Sequence, residues 1–319
     1  MSSPSATTVR VATRTSPMAM WQTRKCVGLL RAAHPHLTFE TVPITSLGDR
    51  YHGPLADIGG KGAFVRALDQ ALTTGQVELS ISCAKDLPSP HDRMPGVVIG
   101  GVLERDDARD ALILPSGTPP TALGTLPPGS RIGTSAPRRT AQLRQLYTGF
   151  DAVPVRGNLN TRLTKLDDGS LGVDALLVAY AGMLRLDVAD RAAEILDPTV
   201  WLPATGAGIV VVEHRSNDTA MHDLLAPVTH PATATALAAE RATLATLHGN
   251  CTTAASVHAL LHAATVTVHA AVFAPDGTRT VRARTTGPAE HPESVGREAA
   301  ERLLKDGAAQ LLPAPGRQS

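Results

Sequence analysis

Apolar positions in the first half of the chain switch between two periods. TVRVAT (8–13) alternates as a half-buried strand does, and PMAMWQTRKCVGLLRAA (17–33) has helical spacing. Ser16 and Pro17 mark the start of that helix, because serine accepts from the free N–H groups of a first turn and proline suits the first helical position. LTFETVPI (37–44) predicts a second strand. KGAFVRALDQALTTG (61–75) predicts a helix closed by glycine, and VELSISCA (77–84) a third strand that leaves through the loop KDLPSP. The alternation then restarts. RIGT (131–134), AVPV (152–155) and VDALLVAY (173–180) predict strands, while APRRTAQLRQLY and LNTRLTKLDDG predict helices, the second after an RGN turn. This order predicts parallel sheets covered on both faces, with ligands held at strand C-termini against helix N-termini.

The last part has a different rhythm. A helix is predicted over 232–247. A hairpin follows, made of ATVTVHAAVFA, an Asp276-Gly277 turn and TRTVRARTT. A closing helix in PESVGREAAERLLKDGAAQLL completes a small α+β domain, with PVTHPAT (227–233) as a linker.

Composition narrows the classes. With 319 residues, 43% of them hydrophobic, the chain has room for two or three domains. No apolar run approaches the roughly 20 residues of a membrane span. The opening MSSPSATTVR lacks the basic-then-apolar pattern of a secretory signal, so a cytoplasmic protein with no membrane partner is expected. A net charge of +1 and 3% aromatic residues argue against a nucleic-acid partner read by stacking. Three cysteines, Cys26, Cys83 and Cys251, make no disulfide framework. No metal is expected, since His248, His258 and His262 near Cys251 match no familiar ligand spacing.

Charge is uneven, however. Residues 131–165 hold seven basic side chains against one acid, Asp151. Two of the clusters, SAPRR and RGN, directly follow predicted strands, where backbone N–H groups and guanidinium groups can meet one anion. A ligand rich in carboxylates or phosphates is expected there. Cys251 poses a separate question, because it sits in the small-residue loop HGNCTTAA (248–255). A buried filler, half of a metal site and a reactive thiol all remain open on the residues alone.

Several motifs, in order, carry a resemblance. They are ATRTSPMAMWQ (12–22), GGKGAFVRALDQAL (59–72), AKDLP (84–88), GTSAPRR (133–139), VRGNLNTRLTKLDDG (155–169), AGMLRLD (181–187), LPATGAG (202–208) and ERATLATLHGNC (240–251). Nearly end to end, the chain resembles the hydroxymethylbilane synthase, or porphobilinogen deaminase, family. The resemblance implies two α/β lobes like type 2 periplasmic binding proteins, with mixed sheets, and a small α+β C-terminal domain. The first lobe would comprise 1–104 and 206–226, the second 105–205, and the third domain 227–319, with hinges near 104–108 and 201–206. It also implies a transferase that condenses four porphobilinogen molecules head to tail, with loss of ammonia, and releases 1-hydroxymethylbilane. A dipyrromethane cofactor would hang by a thioether from Cys251, and the enzyme would work as a monomer.

By the same resemblance Asp86 is the catalytic acid, a carboxylate that steadies the cation left when ammonia departs. Lys85, Ser135, Arg138, Arg139 and Arg162 would bind the cofactor. Arg14, Ser16, Gln22, Lys61, Arg156 and Arg185 would bind the substrate. Arginine suits both tasks because its planar fork holds a carboxylate in a bidentate way. The sequence departs from the family pattern at Ser82 and Cys83, where His-Ser is usual, in TTAAS (252–256) after the anchor, at Ala207 where Gln is expected, and at Ala136. Two alternatives follow: a paralogue making a different pyrrole oligomer, or a non-catalytic anion-binding protein on the same fold.

Overall fold

The two periods of the first half become two five-stranded sheets. The structure is a computed structural model that describes residues 8–46, 62, 64–249 and 253–312. The first sheet contains β1 (Thr8–Arg14), β2 (Thr38–Ile44), β3 (Leu79–Cys83), β4 (Val97–Val102) and β10 (Val210–Arg215), in the order β2-β1-β3-β10-β4. The second contains β5 (Asp110–Ile113), β6 (Arg131–Gly133), β7 (Asp151–Val153), β8 (Ala175–Ala179) and β9 (Ala192–Ile195), in the order β7-β6-β8-β5-β9. Both sheets are mixed, as the resemblance implies; the alternation alone predicts only their parallel strands. β1, β2 and β3 are parallel, but β10 runs antiparallel to β3 and β4. Likewise β6, β7 and β8 are parallel, and β5 opposes β8 and β9. The cause is the path of the chain. β4 and β5 are consecutive yet lie in different sheets, so the chain crosses over and later returns to insert β10.

The helices of these lobes are α1 (Pro17–Ala33), α2 (Arg66–Thr73), α3 (Pro137–Leu146), α4 (Leu159–Asp167), α5 (Tyr180–Arg185) and α6 (Thr219–Leu225). α1 starts as the sequence predicts, with Ser16 Oγ accepting from Ala19 N at 3.2 Å and Pro17 in the first turn. Its Cys26, Val27 and Leu30 pack with Val11, Leu79 and Val212 of the first sheet.

A third sheet, β11 (Ala255–His262), β12 (Thr265–Phe273) and β13 (Thr280–Pro288), is an antiparallel meander. The predicted hairpin is its second and third strands. α7 (Pro231–Thr246) and α8 (Pro292–Lys305) cover it through Ala239, Val295, Ala299 and Leu303. α7 begins inside the expected linker, because the His230 side chain accepts from Thr233 N and Pro231 opens the first turn.

The two crossing segments touch each other and α7. Asp106 N donates to Gly208 O at 3.1 Å, and a Cβ on Gly208 would lie 2.2 Å from Asp106 O, so only glycine fits there. Glu240 of α7 accepts from Gly206 N at 2.6 Å, Arg105 Nη1 at 2.7 Å and Ala259 N at 2.8 Å. Burial pushes this carboxyl up, but Arg105 and His258 outweigh it and bring it down to about 2.

Candidate active site

Strand ends and helix starts of both lobes meet around one cavity of about 960 Å³. β1 ends in Arg14, and Thr15, Ser16 and Met18 follow into the start of α1. β3 ends in Cys83 and runs into a single 3-10 turn, Ala84–Asp86, that presents Lys85 and Asp86. From the second lobe come Ser135 after β6, Arg156, Gly157 and Asn158 leading into α4, and Thr161, Arg162 and Lys165 along one side of it. Arg185 closes the floor from the end of α5. Ligand sites of open α/β sheets lie at such strand ends.

Most of the residues expected from the sequence meet here. Arg14, Ser16, Gln22, Lys85, Asp86, Ser135, Arg156, Arg162 and Arg185 all line the cavity. Arg14 stacks its guanidinium over the Phe64 ring, 4.2 Å from the centroid, which keeps the cation on the wall. Ser16 and Ser135 have structural duties as well. Ser16 caps α1, while Ser135 Oγ donates to Val155 O and accepts from Val155 N, which ties together the exits of β6 and β7. Arg185 is 4% exposed. It donates Nε to Asp106 at 2.8 Å, Nη2 to Gly208 O at 2.8 Å and Nη1 to Cys83 Sγ at 3.7 Å, and so bridges the second lobe to the hinge and the first. Lys61 and Cys251 lie outside the described residues.

Arg138 and Arg139 are placed elsewhere, and this corrects the grouping expected for them. Neither lines the cavity, because buried Asp110 at the start of β5 takes both. Arg138 meets its carboxylate at 2.8 and 3.1 Å and Arg139 at 3.0 and 2.7 Å, with Trp201 Nε1 adding a bond at 2.9 Å. Burial alone would raise Asp110; the two guanidinium charges outweigh it and hold the carboxyl well below the usual carboxylate range. No local pattern marks this pairing, since Asp110 lies 28 residues before Arg138.

Arg162 is a cavity cation with an open donor. Its Nε is buried with no hydrogen-bond partner among the described residues. Burial, then the charges of Arg139 and Arg156, lower this guanidinium to about 10. A cation held that way is stabilised by an incoming anion. Asn158 and Thr161 carry no charge that would single them out in the sequence, although with Arg162 and Lys165 they recur at helical spacing and share the wall with Arg156. Phe64 and Met18 were also missed, having only an apolar pattern to mark them.

Two family models cover most of the chain. "Porphobilinogen deaminase, dipyromethane cofactor binding domain" matches residues 9–223, and "Porphobilinogen deaminase, C-terminal domain" matches 234–305. The porphobilinogen deaminase of Syntrophotalea carbinolica is 39% identical over 97% of this chain and 96% of its own length. That of Chromobacterium violaceum is 40% identical over 95% and 96%. Among solved structures, the periplasmic aliphatic sulphonate binding protein SsuA from Escherichia coli aligns over 75% of this chain and 70% of its own, at 14% identity and a TM-score of 0.41.

Proposed function

The chain belongs to the porphobilinogen deaminase family, and on that footing we propose how its residues share the work of a hydroxymethylbilane synthase. The reaction joins four porphobilinogen units head to tail with loss of ammonia, on a dipyrromethane cofactor. The cavity suits such a group. It offers about 960 Å³ walled by Arg14, Lys85, Arg156, Arg162 and Lys165, and Arg162 has an N–H group with no partner among the described residues. Each pyrrole ring carries an acetate and a propionate, and guanidinium forks are the matching donors. When bound, the dipyrromethane supplies the pyrrole carbon to which the first unit is joined.

Lys85, Ser135 and Arg162 would hold the cofactor's acids. Arg138 and Arg139 back this wall as charges and would reach a ligand only by giving up Asp110. Arg14, Ser16, Gln22, Arg156 and Arg185 would orient the incoming porphobilinogen, together with Lys61. Asp86, on its turn beside Lys85, would face the pyrrole N–H. Its carboxylate favours the cation formed as the ammonium group leaves and the one formed again after carbon–carbon bonding, before the ring proton departs. Cys251 would be the anchor, as a thiolate forming the thioether.

The domain division expected from the resemblance is retained as part of this reading, supported by β10 joining the first sheet after residue 206. Among the described residues no helix is long and apolar enough to cross a membrane. We take the enzyme to act as a cytoplasmic monomer, the expectation that its membership of the family carries.

The observation that carries the reading is the meeting of Asp86 with cations from both lobes in one cavity. Intact-protein mass spectrometry tests it. The purified chain should carry the mass of a two-ring adduct that Cys251→Ala abolishes, and porphobilinogen should add further units in steps. An unmodified chain that still releases bilane would refute it.

A further inference from the structure

The loop that carries Asp86 has few backbone hydrogen bonds among the described residues. After the turn Ala84–Asp86, residues 87–90 include two prolines, Pro88 and Pro90, which have no N–H to donate. Among the described residues, Leu87 N reaches Ala84 O and Asp92 N reaches Ser89 O. Yet a group that stabilises charge during a reaction has to be held to within about 0.5 Å.

α7 supplies what the loop lacks. Leu237 is buried in the same cluster as Leu87. Arg241, one turn on, donates Nη2 to Pro88 O at 3.2 Å. His248, just past the helix end, stacks on His91 with ring centroids 5.1 Å apart and planes 21° from parallel. Leu237 and Arg241, four residues apart, share one side of α7, and His248 follows directly after its end. Loop positions 87, 88 and 91 are therefore met in order by 237, 241 and 248.

One of these contacts is held by a helix end and the other carries a cost that packing alone does not require. His248 has φ 50° as the residue that closes α7, with Gly249 N donating back to Leu244 O at 3.0 Å, so its ring is set at a fixed helix end. Arg241 is brought inside beside other charges. Burial and the charge of Arg93 lower its guanidinium to about 10, against the pull of Glu213. Glu213 is itself fully buried on β10 and ion-paired with Arg93, so Arg241 has no carboxylate to itself. Its recorded hydrogen bond goes to the loop.

We propose that Arg241 and His248 are positioning residues: through α7 and its end, the third domain sets the loop that presents Asp86 to the substrate. The chain reaches Cys251 three residues after His248, so the same helix that steadies the acid leads into the anchor. This rests on the reading of Asp86 given above.

The test compares Arg241→Met, Arg241→Lys, His91→Ala and Asp86→Asn. Adduct loading is checked by intact mass, kcat and KM for porphobilinogen are measured per loaded molecule, and hydrogen exchange is followed over 84–92. Misplacement of a catalytic group costs about tenfold or more. Arg241→Met should therefore lower kcat at least about tenfold while KM stays within about twofold, and Arg241→Lys, which can still donate, should recover much of the loss. His91 is exposed, so His91→Ala leaves the core intact and should lower kcat by about threefold. Amides of Leu87 and Asp92 should exchange faster in Arg241→Met and in His91→Ala. A purely structural Arg241 would lower thermal stability without changing kcat per loaded molecule. Unchanged kcat in Arg241→Met and His91→Ala beside an inactive Asp86→Asn overturns the positioning role. Should Arg241→Met not fold, His91→Ala decides alone. Full activity in Asp86→Asn would instead remove the acid's role, and the proposal with it.

Discussion

Replacing Glu240 with glutamine should unlatch the two crossing segments from the third domain. The carboxylate accepts three donors at once, from Arg105, Gly206 and Ala259, and is fully buried. Glutamine keeps one acceptor oxygen and turns an N–H₂ group toward one of these donors, while Arg105 loses its counter-charge. Removing one partner of a buried pair costs about 3–5 kcal/mol. The titration agrees in scale: a carboxyl brought from its ordinary 4.5 to about 2 gains about 3 kcal/mol from the folded environment. Because the folded value is depressed, that gain is present above about pH 4.5 and fades as the pH falls toward 2. At neutral pH the first thermal transition, followed by circular dichroism, should fall by roughly 10 °C. The variant should also lack this share of the wild type's loss of stability between pH 4.5 and 2. A fall under about 2 °C, or an unchanged acid profile, would refute the latch.

Two further outcomes follow. Gly206→Ala should abolish most turnover while the far-ultraviolet spectrum stays native. Gly206 has φ +70° and its added Cβ would lie 2.9 Å from Ala84 C and Lys85 N, which pushes on the Asp86 turn; normal kcat would show that the turn yields without consequence. Asp110→Asn should cost about 3–5 kcal/mol in urea unfolding, because two buried guanidinium groups lose their shared anion, and a change under about 1 kcal/mol would mean that other acceptors replace it.

Local patterns showed the start of α1 and the parallel strands clearly, since Ser16-Pro17 and the alternation in TVRVAT act within a few residues. The hairpin of the third domain was legible from its Asp276-Gly277 turn, but the antiparallel strands of the two lobes were not. The place of β10 between β3 and β4 is decided by a chain crossing, not by VVVEHR itself. β11 was missed for another reason. Ser256 and His258 point into buried surroundings, Ser256 donating to Leu202 O at 3.0 Å, so both faces are covered and the usual polar face is absent. In the site, the motifs identified the cavity cations but not their partners. Arg138 and Arg139 look like Arg156 in sequence; only the fold brings Asp110 to them.

The late arrival of β10 bears on synthesis. β4 bonds to no strand except β10, and β3 needs β10 as its neighbour on one side. While a ribosome is still translating the second lobe, the first has a gap at its centre, beside the strand that ends at the Asp86 turn. The second sheet, drawn wholly from 110–195, can close in the meantime. At about 5–20 residues per second, the hundred or so residues between β4 and β10 leave that gap open for several seconds. Chains stalled before β10 emerges should therefore show a protease-resistant second lobe and a cleavable first one.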